Sequence, residues 1–346
     1  MKKETKKVEV FLFPTDTIPG IGCFLSTSCV ERLKKIKKRP QDKPFQLILG
    51  NVEEIKKWVE ELPPVLEKLK KLLPGGLTLI LKGKKDLPPG VLSKEGKIGI
   101  RIPNHKELRN FINKNKLPLV ATSANISGEE TPKKIEDVKI YFDKKIEGKP
   151  GSGKASTVLD ISDNSIIIQR KGDVSILKIE RIVGEEVKLG EHLEFNVLFV
   201  CSANKCRSPM AEIHLRNLLS DLKKVNIRSA GILGLGGMDL YEDAKKVLEE
   251  NNLIFENFSS TLLTKSLTEW ADLILIMDDF QKKYIMKVFP ESMDKVVFLR
   301  NFRREEKEYI IEDPAGKSLE ECRKTFNIIK EANKKLEEYL RNKFKK

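Results

Sequence analysis

Residues 195–209, Phe-Asn-Val-Leu-Phe-Val-Cys-Ser-Ala-Asn-Lys-Cys-Arg-Ser-Pro, decide the fold of the second half of this chain. The apolar run before Cys201 predicts a buried strand, and Pro209 predicts the first turn of a helix. A loop in this position directs backbone N–H groups and the positive end of the helix toward one point. The stretch therefore predicts a phosphate-binding loop that carries a thiol nucleophile.

The residue types of this loop suggest a division of labour. Cys201 would attack a phosphoryl group as a thiolate, and the planar fork of Arg207 would hold two phosphoryl oxygens. Ser208 would cap the helix and donate to the sulfur. The intervening residues would supply backbone N–H groups to the phosphate; they are Ser202, Ala203, Asn204, Lys205 and Cys206.

Such chemistry also needs an acid that protonates the leaving group. Asp313, in Glu312-Asp313-Pro314, is the candidate, with Glu312 and Asp279 as weaker alternatives. Cys206 has two interpretations, a reversible disulfide with Cys201 that protects the nucleophile or a small packing residue.

With these motifs, residues 195–346 resemble the low-molecular-weight protein tyrosine phosphatases, which carry Cys-x5-Arg-Ser-Pro early and an Asp-Pro loop late. Residues 228–231 and 271–273 match as well. The resemblance implies a doubly wound parallel sheet and a phosphocysteine intermediate on Cys201, with phosphotyrosine or phosphoarginine in a protein as the substrate. Lys205 and Ala315 depart from the family pattern around the leaving group. Arsenate reduction is an alternative, but it would need a further cysteine pair in the middle of the domain.

The first half alternates short strands with helices, the pattern of an α/β fold. Predicted strands are 8–13, 45–49, 77–81, 98–102, 118–121, 157–161 and 166–170. Helices are expected at 29–38, from Pro64 and after Pro132, and a polar linker at 185–194 between domains 1–184 and 195–346. In the second half, strands are expected at 195–200, 226–229, 273–277 and 295–299, and helices from Pro209, at 240–251, at 280–289 and from Ser318.

Several polar motifs follow the strands of the first half. They are Thr15–Gly20, Lys37-x-Arg39-Pro40, Thr122–Gly128, Ser156-Thr157-Val158 and Arg170-Lys171-Gly172. In this order they resemble the YrdC/Sua5 family over about residues 5–183. The resemblance implies a twisted mixed sheet that makes L-threonylcarbamoyladenylate from L-threonine, bicarbonate and ATP, for the t6A base of tRNA.

The same resemblance assigns site residues. Lys37, Arg39, Ser123 and Asn125 match the family's central motif, and Pro19 and Ile48 depart from its usual residues. Contacts to threonine are expected from Thr17, Arg101 and Ser156, and contacts to ATP from Lys43, Thr131 and Arg170. Mg²⁺ would arrive with the nucleotide. tRNA and proteins of the t6A pathway are possible partners, and the alternative is a catalytically idle domain that binds RNA and carries the phosphatase.

Composition limits the class of protein. The 346 residues carry a formal net charge of +14, which fits either a nucleic-acid partner or a Lys/Glu-rich surface. The five cysteines are sparse and odd in number, which argues against a disulfide framework, and no spacing typical of a zinc site occurs. No signal peptide or membrane span is expected, so the sequence predicts a cytoplasmic protein.

Overall fold

The structure is a computed structural model that describes residues 8–40, 42–233, 236–253, 255, 257–302 and 308–345. The chain divides into two compact units. The first comprises residues 1–175 and 179–190, and the second comprises 176–178 and 191–346. Each unit has its own sheet.

The first unit contains a mixed sheet, as predicted, and this sheet has ten strands among the described residues. Its strands are β1 (Phe11–Phe13), β2 (Gly20–Phe24), β3 (Gln46–Ile48), β4 (Leu77–Lys82), β5 (Lys97–Arg101), β6 (Leu119–Ser123), β7 (Lys144–Lys145), β8 (Thr157–Asp160), β9 (Ile167–Arg170) and β10 (Lys188–Leu189). Their order across the sheet is β10-β9-β8-β4-β5-β3-β6-β2-β1-β7. The strands β2, β7 and β10 were not predicted. Residues 188–189 of the expected linker thus pair with β9 as an edge strand.

Four α-helices of the described chain up to residue 190 accompany this sheet; they are α1 (Thr27–Lys37), α2 (Val65–Leu69), α3 (Lys106–Asn115) and α4 (Ile176–Val183). The predicted helix after Pro132 is wrong. That segment has one 3₁₀ turn, Ile135–Asp137, and none of the residues of this turn is buried, so tertiary packing does not stabilise a longer helix there. Helix α1 begins after Ser26, whose hydroxyl accepts from the Cys29 N–H, and ends at Lys38 in the left-handed conformation with φ 50°.

The side chains of Cys23 in β2 and Cys29 in α1 form a disulfide. The sequence argued against a disulfide framework, and this bridge is a correction to that view. The short connection between strand and helix brings the two Cα atoms to 5.8 Å, within the range that a disulfide spans. The remaining cysteines, Cys201, Cys206 and Cys322, are buried free thiols.

The second unit has the predicted parallel sheet. Its strands are β11 (Phe195–Cys201), β12 (Val225–Gly231), β13 (Leu273–Ile276) and β14 (Val296–Phe298), in the order β12-β11-β13-β14. The helices are α5 (Arg207–Leu218), α6 (Glu242–Glu250), α7 (Lys265–Trp270), α8 (Asp279–Val288) and α9 (Leu319–Asn342). Helix α5 begins at Arg207, two residues before the predicted Pro209, and α7 was not predicted.

The central strand of the second unit is buried from end to end except at Asn196. Val200 and Ile276 belong to the apolar core between the sheet and its helices. Parallel neighbours on both sides of β11 fix its carboxyl end at the edge of the sheet where ligands bind in such folds. Cys201 is the last residue of that strand. None of the helices in the described part of the chain is both long enough and apolar enough to cross a membrane.

Candidate active sites

The loop between β11 and α5 brings the predicted nucleophile and arginine together. Cys201 ends the strand and is 3% exposed, and Arg207 begins the helix and is 2% exposed. The loop passes against the end of β12 at Gly231. A Cβ atom at residue 231 would lie 2.7–2.9 Å from backbone atoms of Ser202, Ala203 and Asn204, so only glycine permits this approach.

A chain of hydrogen bonds leads to the sulfur of Cys201. The Ser208 hydroxyl donates to Sγ of Cys201 at 3.0 Å. The side-chain N–H groups of Asn204 donate to Ser208 at 2.9 Å and to Ser229 at 2.7 Å, and its oxygen accepts from the N–H of Thr261 at 2.7 Å. Asn204 adopts a left-handed backbone with φ 55°, which asparagine tolerates better than most residues. These bonds fix the loop and direct a donor at the Cys201 sulfur.

Arg207 is held by two carboxylates and two further oxygens. Its Nη1 donates to Asp278 at 2.7 Å and to the Ile311 carbonyl at 3.0 Å. Its Nη2 donates to Ser202 at 3.2 Å and to Asp313. Burial lowers the pKa of Arg207, but the neighbouring Cys201, Asp313 and Asp278 raise it, and the net shift is upward. Arg207 is therefore a fixed cation beside the sulfur.

The structure separates the three candidate acids. Asp313 lies with Cys201 and Arg207 in a cavity of about 140 Å³. Asp279 accepts a hydrogen bond from the Tyr309 hydroxyl at 3.0 Å, and Glu312 lies 3.9 Å from the Lys317 ammonium. Neither of these two carboxylates lines the cavity. The placement favours Asp313 as the proton donor.

Sequence reasoning missed Asp278 and Gln281. Asp278 follows β13 and caps α8, where its side chain accepts from the N–H groups of Phe280 and Gln281. The buried Gln281 side chain donates to Asp278 at 2.9 Å and to Ser202 at 3.4 Å. Although burial raises the pKa of Asp278, the bonds from Gln281 and Arg207 lower it below its usual range. The sequence signal that could have identified Asp278 is the position of an acidic residue just after β13, a central strand of the parallel sheet.

Cys206 makes a hydrogen bond to Cys322, the third free cysteine of the second unit. The side chain of Cys322, in the first turn of α9, hydrogen-bonds to Cys206, and this bond together with burial raises the pKa of the Cys206 thiol. Cys206 is 5% exposed and Cys322 is 1% exposed. The contact ties the phosphate loop to α9.

The first unit has a cavity of about 500 Å³. Five residues predicted from the family resemblance line it, namely Arg39, Arg101, Ser123, Ser156 and Arg170. These side chains come from the carboxyl ends of β5, β6 and β9, from the residue before β8 and from the segment after α1. Burial lowers the pKa of each of the three arginines, so the cavity concentrates poorly solvated positive charge.

Each arginine is oriented by a specific partner. Arg101 donates to Asp16 at 2.7 Å, and its buried Nε has no partner among the described residues. Arg170 donates to the carbonyl and hydroxyl of Ser156 at 3.0 Å, and Ser156 shares a bond of 2.8 Å with Thr78. The charge of Arg101 lowers the pKa of Arg170 further, after burial. An anion bound between these two guanidinium groups would relieve their repulsion.

Arg39 lies across the ring of Phe45, with 4.7 Å between the guanidinium carbon and the ring centre. It donates to the carbonyls of Lys43 at 3.0 Å and Pro44 at 2.7 Å. Planar stacking and two backbone contacts hold the guanidinium at the cavity wall.

The other predicted residues of the first unit lie outside the cavity lining. Lys37 is 1% exposed and donates to the Ser123 carbonyl at 2.7 Å and to the Asn125 side chain at 3.1 Å. Burial first and then Arg39 lower the pKa of Lys37 to about 8. Lys37 thus supports the loop that carries Ser123, and we assign it a positioning role.

Thr17 is fully buried, and its hydroxyl shares a bond of 3.0 Å with Thr15, which does line the cavity. Asn125 and Thr131 border a second cavity of about 630 Å³. Lys43 contacts Arg39 through its carbonyl. Pro19 and Ile48, which depart from the family pattern, both line the main cavity, as do Gln46 and Thr78, which the sequence did not single out.

Comparison with known proteins identifies both units. The family model described as Telomere recombination, Sua5_yciO_yrdC, matches residues 4–172, and the model described as Low molecular weight phosphotyrosine protein phosphatase matches residues 196–346. The chain belongs to both families. Its Sua5/YrdC unit and its phosphatase unit thus correspond to the two halves recognised from the sequence motifs.

Named relatives agree with this division. A threonylcarbamoyl-AMP synthase of Bacillus subtilis is 34% identical over 184 residues, which cover 51% of this chain and 53% of the relative. A threonylcarbamoyl-AMP synthase of Pseudoalteromonas translucida is 30% identical over 46% of this chain and 89% of the relative. A protein-arginine-phosphatase of Geobacillus stearothermophilus is 37% identical over 32% of this chain and 72% of the relative. The chain therefore spans about half the length of the Bacillus relative.

Proposed function

We propose that the phosphatase unit hydrolyses phosphoproteins through a phosphocysteine on Cys201. The contact of 3.0 Å from the Ser208 hydroxyl to the Cys201 sulfur carries this proposal, because a donor aimed at sulfur stabilises the thiolate that attacks. Attack forms a P–S bond and breaks the bond between phosphorus and the leaving group, which takes a proton from Asp313. Water then attacks phosphorus, Asp313 accepts its proton, and the P–S bond breaks to release phosphate.

Arg207 would change partners during this reaction. It now donates to Asp313 through Nη2, and a bound phosphoryl group would compete for the same N–H. Because Asp278 holds Nη1, the guanidinium would stay in place while Asp313 turns to the leaving group. Phosphotyrosine and phosphoarginine are both compatible with this sequence of steps.

Hydrolysis of a small aryl phosphate by the purified full chain tests the phosphatase proposal. Cys201→Ser should abolish turnover, because a hydroxyl is a far weaker nucleophile than a thiolate. Cys23→Ser, which also removes one cysteine side chain but lies in the first unit, is the control and should retain turnover. Full activity of Cys201→Ser would refute the mechanism.

We infer that the Sua5/YrdC unit forms L-threonylcarbamoyladenylate from L-threonine, bicarbonate and ATP. The observation that carries this inference is the convergence of Arg39, Arg101 and Arg170 on one cavity. Both the threonine carboxylate and the nucleotide phosphates are anions, and guanidinium groups bind such anions through paired N–H bonds. The carbamate formed on the threonine amine would attack the α-phosphoryl group, and pyrophosphate would leave.

Magnesium would enter this reaction with the nucleotide. Within the part of the chain that the structure describes, no group of three or more His, Cys, Asp or Glu residues is arranged to hold a metal ion. Mg²⁺ commonly binds through substrate phosphates with few protein ligands, and it would neutralise charge on the pyrophosphate.

Incubation of the protein with ATP, bicarbonate and labelled threonine tests the synthase proposal. The expected products are threonylcarbamoyl-AMP and pyrophosphate, and Arg39→Ala should abolish both. Lys35→Ala is the matched control, because it also removes one positive charge, but from an exposed position of α1. This variant should still form both products. If the wild type makes no product but binds tRNA in a salt-sensitive manner, the unit is an RNA-binding domain instead.

A further inference from the structure

The wall of the phosphatase cavity that faces the leaving group carries a lysine and a tyrosine. The cavity of about 140 Å³ is lined by Cys201, Arg207 and Asp313, and also by Lys205, Tyr241 and Ala315. The first three residues are the reacting groups of the proposed mechanism. The last three therefore border the space in which the group bonded to the phosphate would lie.

Backbone contacts fix this wall. The N–H of Tyr241, the residue that precedes α6, donates to the Lys205 carbonyl at 2.8 Å. The Tyr241 hydroxyl in turn accepts from the N–H of Gly316 at 3.2 Å. The loop of Lys205, the tyrosine ring and the loop of Asp313 are thus joined to one another, and the positions of their Cα atoms are set by the fold.

Among the residues that the structure describes, no carboxylate pairs with the Lys205 side chain. Its side chain is half-buried, and within the described ranges it makes no ion pair or side-chain hydrogen bond. The two acidic side chains nearest the reaction, Asp278 and Asp313, are both bonded to Arg207. An ammonium group at this position therefore attracts anions and repels cations that enter with the substrate.

We propose that Lys205 makes the phosphatase unit selective for phosphotyrosine within acidic segments of protein. The proposal rests on the proposed phosphatase function and specifies its substrate. The Tyr241 ring offers an apolar face to an aryl leaving group, and Lys205 attracts Asp or Glu next to it. A phosphoarginine substrate would instead bring its guanidinium toward the Lys205 ammonium, and like charges in such a confined site repel.

Matched peptides test this selectivity in the full chain. Three phosphotyrosyl peptides of equal length carry Glu, Gln or Lys at the positions flanking the phosphotyrosine, and a fourth peptide replaces phosphotyrosine by phosphoarginine in the Glu background. The wild type should hydrolyse the Glu peptide with kcat/KM about fivefold above that of the Lys peptide, a size typical of one partly exposed charge pair. High salt should reduce the ratio.

Variants of Lys205 test whether this side chain causes the preference for the Glu peptide over the Lys peptide. Lys205→Met should bring the Glu-to-Lys ratio toward one, and Lys205→Glu should invert it. Lys246→Glu changes the net charge equally at an exposed position of α6 outside the cavity lining, and it should retain the wild-type ratio. The readout is the ratio of kcat/KM for two peptides measured with the same variant. A general loss of turnover lowers both values and therefore leaves this ratio unchanged.

Several outcomes would overturn the proposal. They are a wild-type preference for the Lys peptide, faster hydrolysis of the phosphoarginine peptide, or an unchanged ratio in Lys205→Glu. Hydrolysis that persists in Cys201→Ser would refute the proposed function itself. Absence of all hydrolysis in the wild type, including that of a small aryl phosphate, would refute both.

Discussion

Nη1 of Arg207 and a carboxylate oxygen of Asp278 lie 2.7 Å apart, so the phosphate-loop arginine is held by the residue that caps α8. The Arg207 side chain is almost fully buried, and that of Asp278 is about one-fifth exposed. Removing one partner of such a pair leaves the other charge buried without compensation. The pair therefore orients Arg207 through Nη1, whereas Asp313 is bonded to Nη2.

The first prediction concerns this pair. Asp278→Asn should lower kcat/KM for an aryl phosphate by about 10- to 100-fold, since a displaced guanidinium misaligns the phosphoryl group. The affinity of the Asp278→Asn variant for inorganic phosphate should fall in parallel. A residue that only stabilises the fold would not need to affect phosphate binding. Asp278→Glu should restore part of the activity.

The neighbouring aspartate provides the control for this experiment. Asp279→Asn removes a carboxylate that contacts Tyr309 rather than Arg207, and it should leave turnover near the wild-type value. Equal losses in Asp278→Asn and Asp279→Asn would argue against a specific role of Asp278. A large loss in Asp279→Asn alone would return Asp279 to the list of candidate acids.

The second prediction concerns proton donation by Asp313. Asp313→Ala should lower kcat by about 10²- to 10⁴-fold for an alkyl or unactivated aryl phosphate. The loss should be much smaller for a phosphate with an acidic phenol as leaving group, because that group departs without a proton. Glu312→Gln, the adjacent exposed carboxylate, should show neither effect. A loss in Asp313→Ala that is independent of the leaving group would contradict the assignment.

The third prediction concerns Arg170 in the first unit. Its guanidinium is bonded to Ser156 and shares the cavity wall with Arg101. Arg170→Ala should weaken binding of the anionic substrates by about 10- to 100-fold, the size expected for loss of a charged hydrogen bond. Titration of ATP and of threonine, each with the other at saturation, would show which substrate loses the contact. Arg181→Ala, at an exposed position of α4, should leave both values unchanged.

The fourth prediction concerns His214 on α5, which is 8% exposed. Burial first, and then Lys330 and Lys334, lower the pKa of His214 from 6.5 to about 4. The unfolded chain therefore takes up a proton between these two values while the folded chain does not, and the free energy of unfolding falls as the pH drops through this window. Between pH 7 and pH 5 the loss should be about 2 kcal/mol.

Tryptophan fluorescence can follow this loss in the second unit. The sequence has two tryptophans, Trp58 and Trp270, so a Trp58→Phe background reports on Trp270. His214→Gln should reduce the difference in urea midpoint between pH 7 and pH 5, whereas His192→Gln, at an exposed position, should preserve it. An unchanged pH dependence in His214→Gln would show that other groups govern acid stability.

The sequence predicted that the candidate reacting groups of the second unit lie together, because most of them are close in the chain. Cys201, Arg207 and Ser208 lie within eight residues on one strand, loop and helix start, so their spacing implies their proximity. Asp313 could be named because a motif marks it. Asp278 could not, since an aspartate before a helix usually serves only as a cap, and its contact with Arg207 depends on how β11 and β13 pair.

The first unit shows the opposite case. Its cavity is assembled from strands far apart in the chain, and none of its motifs is decisive alone. Family resemblance brought Arg39, Arg101 and Arg170 together, but it could not distinguish the cavity wall from the layer behind it, where Lys37 and Thr17 lie. Two further differences from the predictions are the absence of the helix expected after Pro132 and the presence of the disulfide between Cys23 and Cys29. Both depend on tertiary packing that local sequence does not encode.

The left-handed backbone of Asn204 and its bonds to Ser208, Ser229 and Thr261 have a thermodynamic consequence. The conformational entropy of this loop is lost when the chain folds, so little of it remains to be lost when an oxyanion arrives. Binding of phosphate should therefore carry a small entropic penalty and a favourable enthalpy. A substitution at residue 204 would transfer that entropic cost from folding to each catalytic cycle.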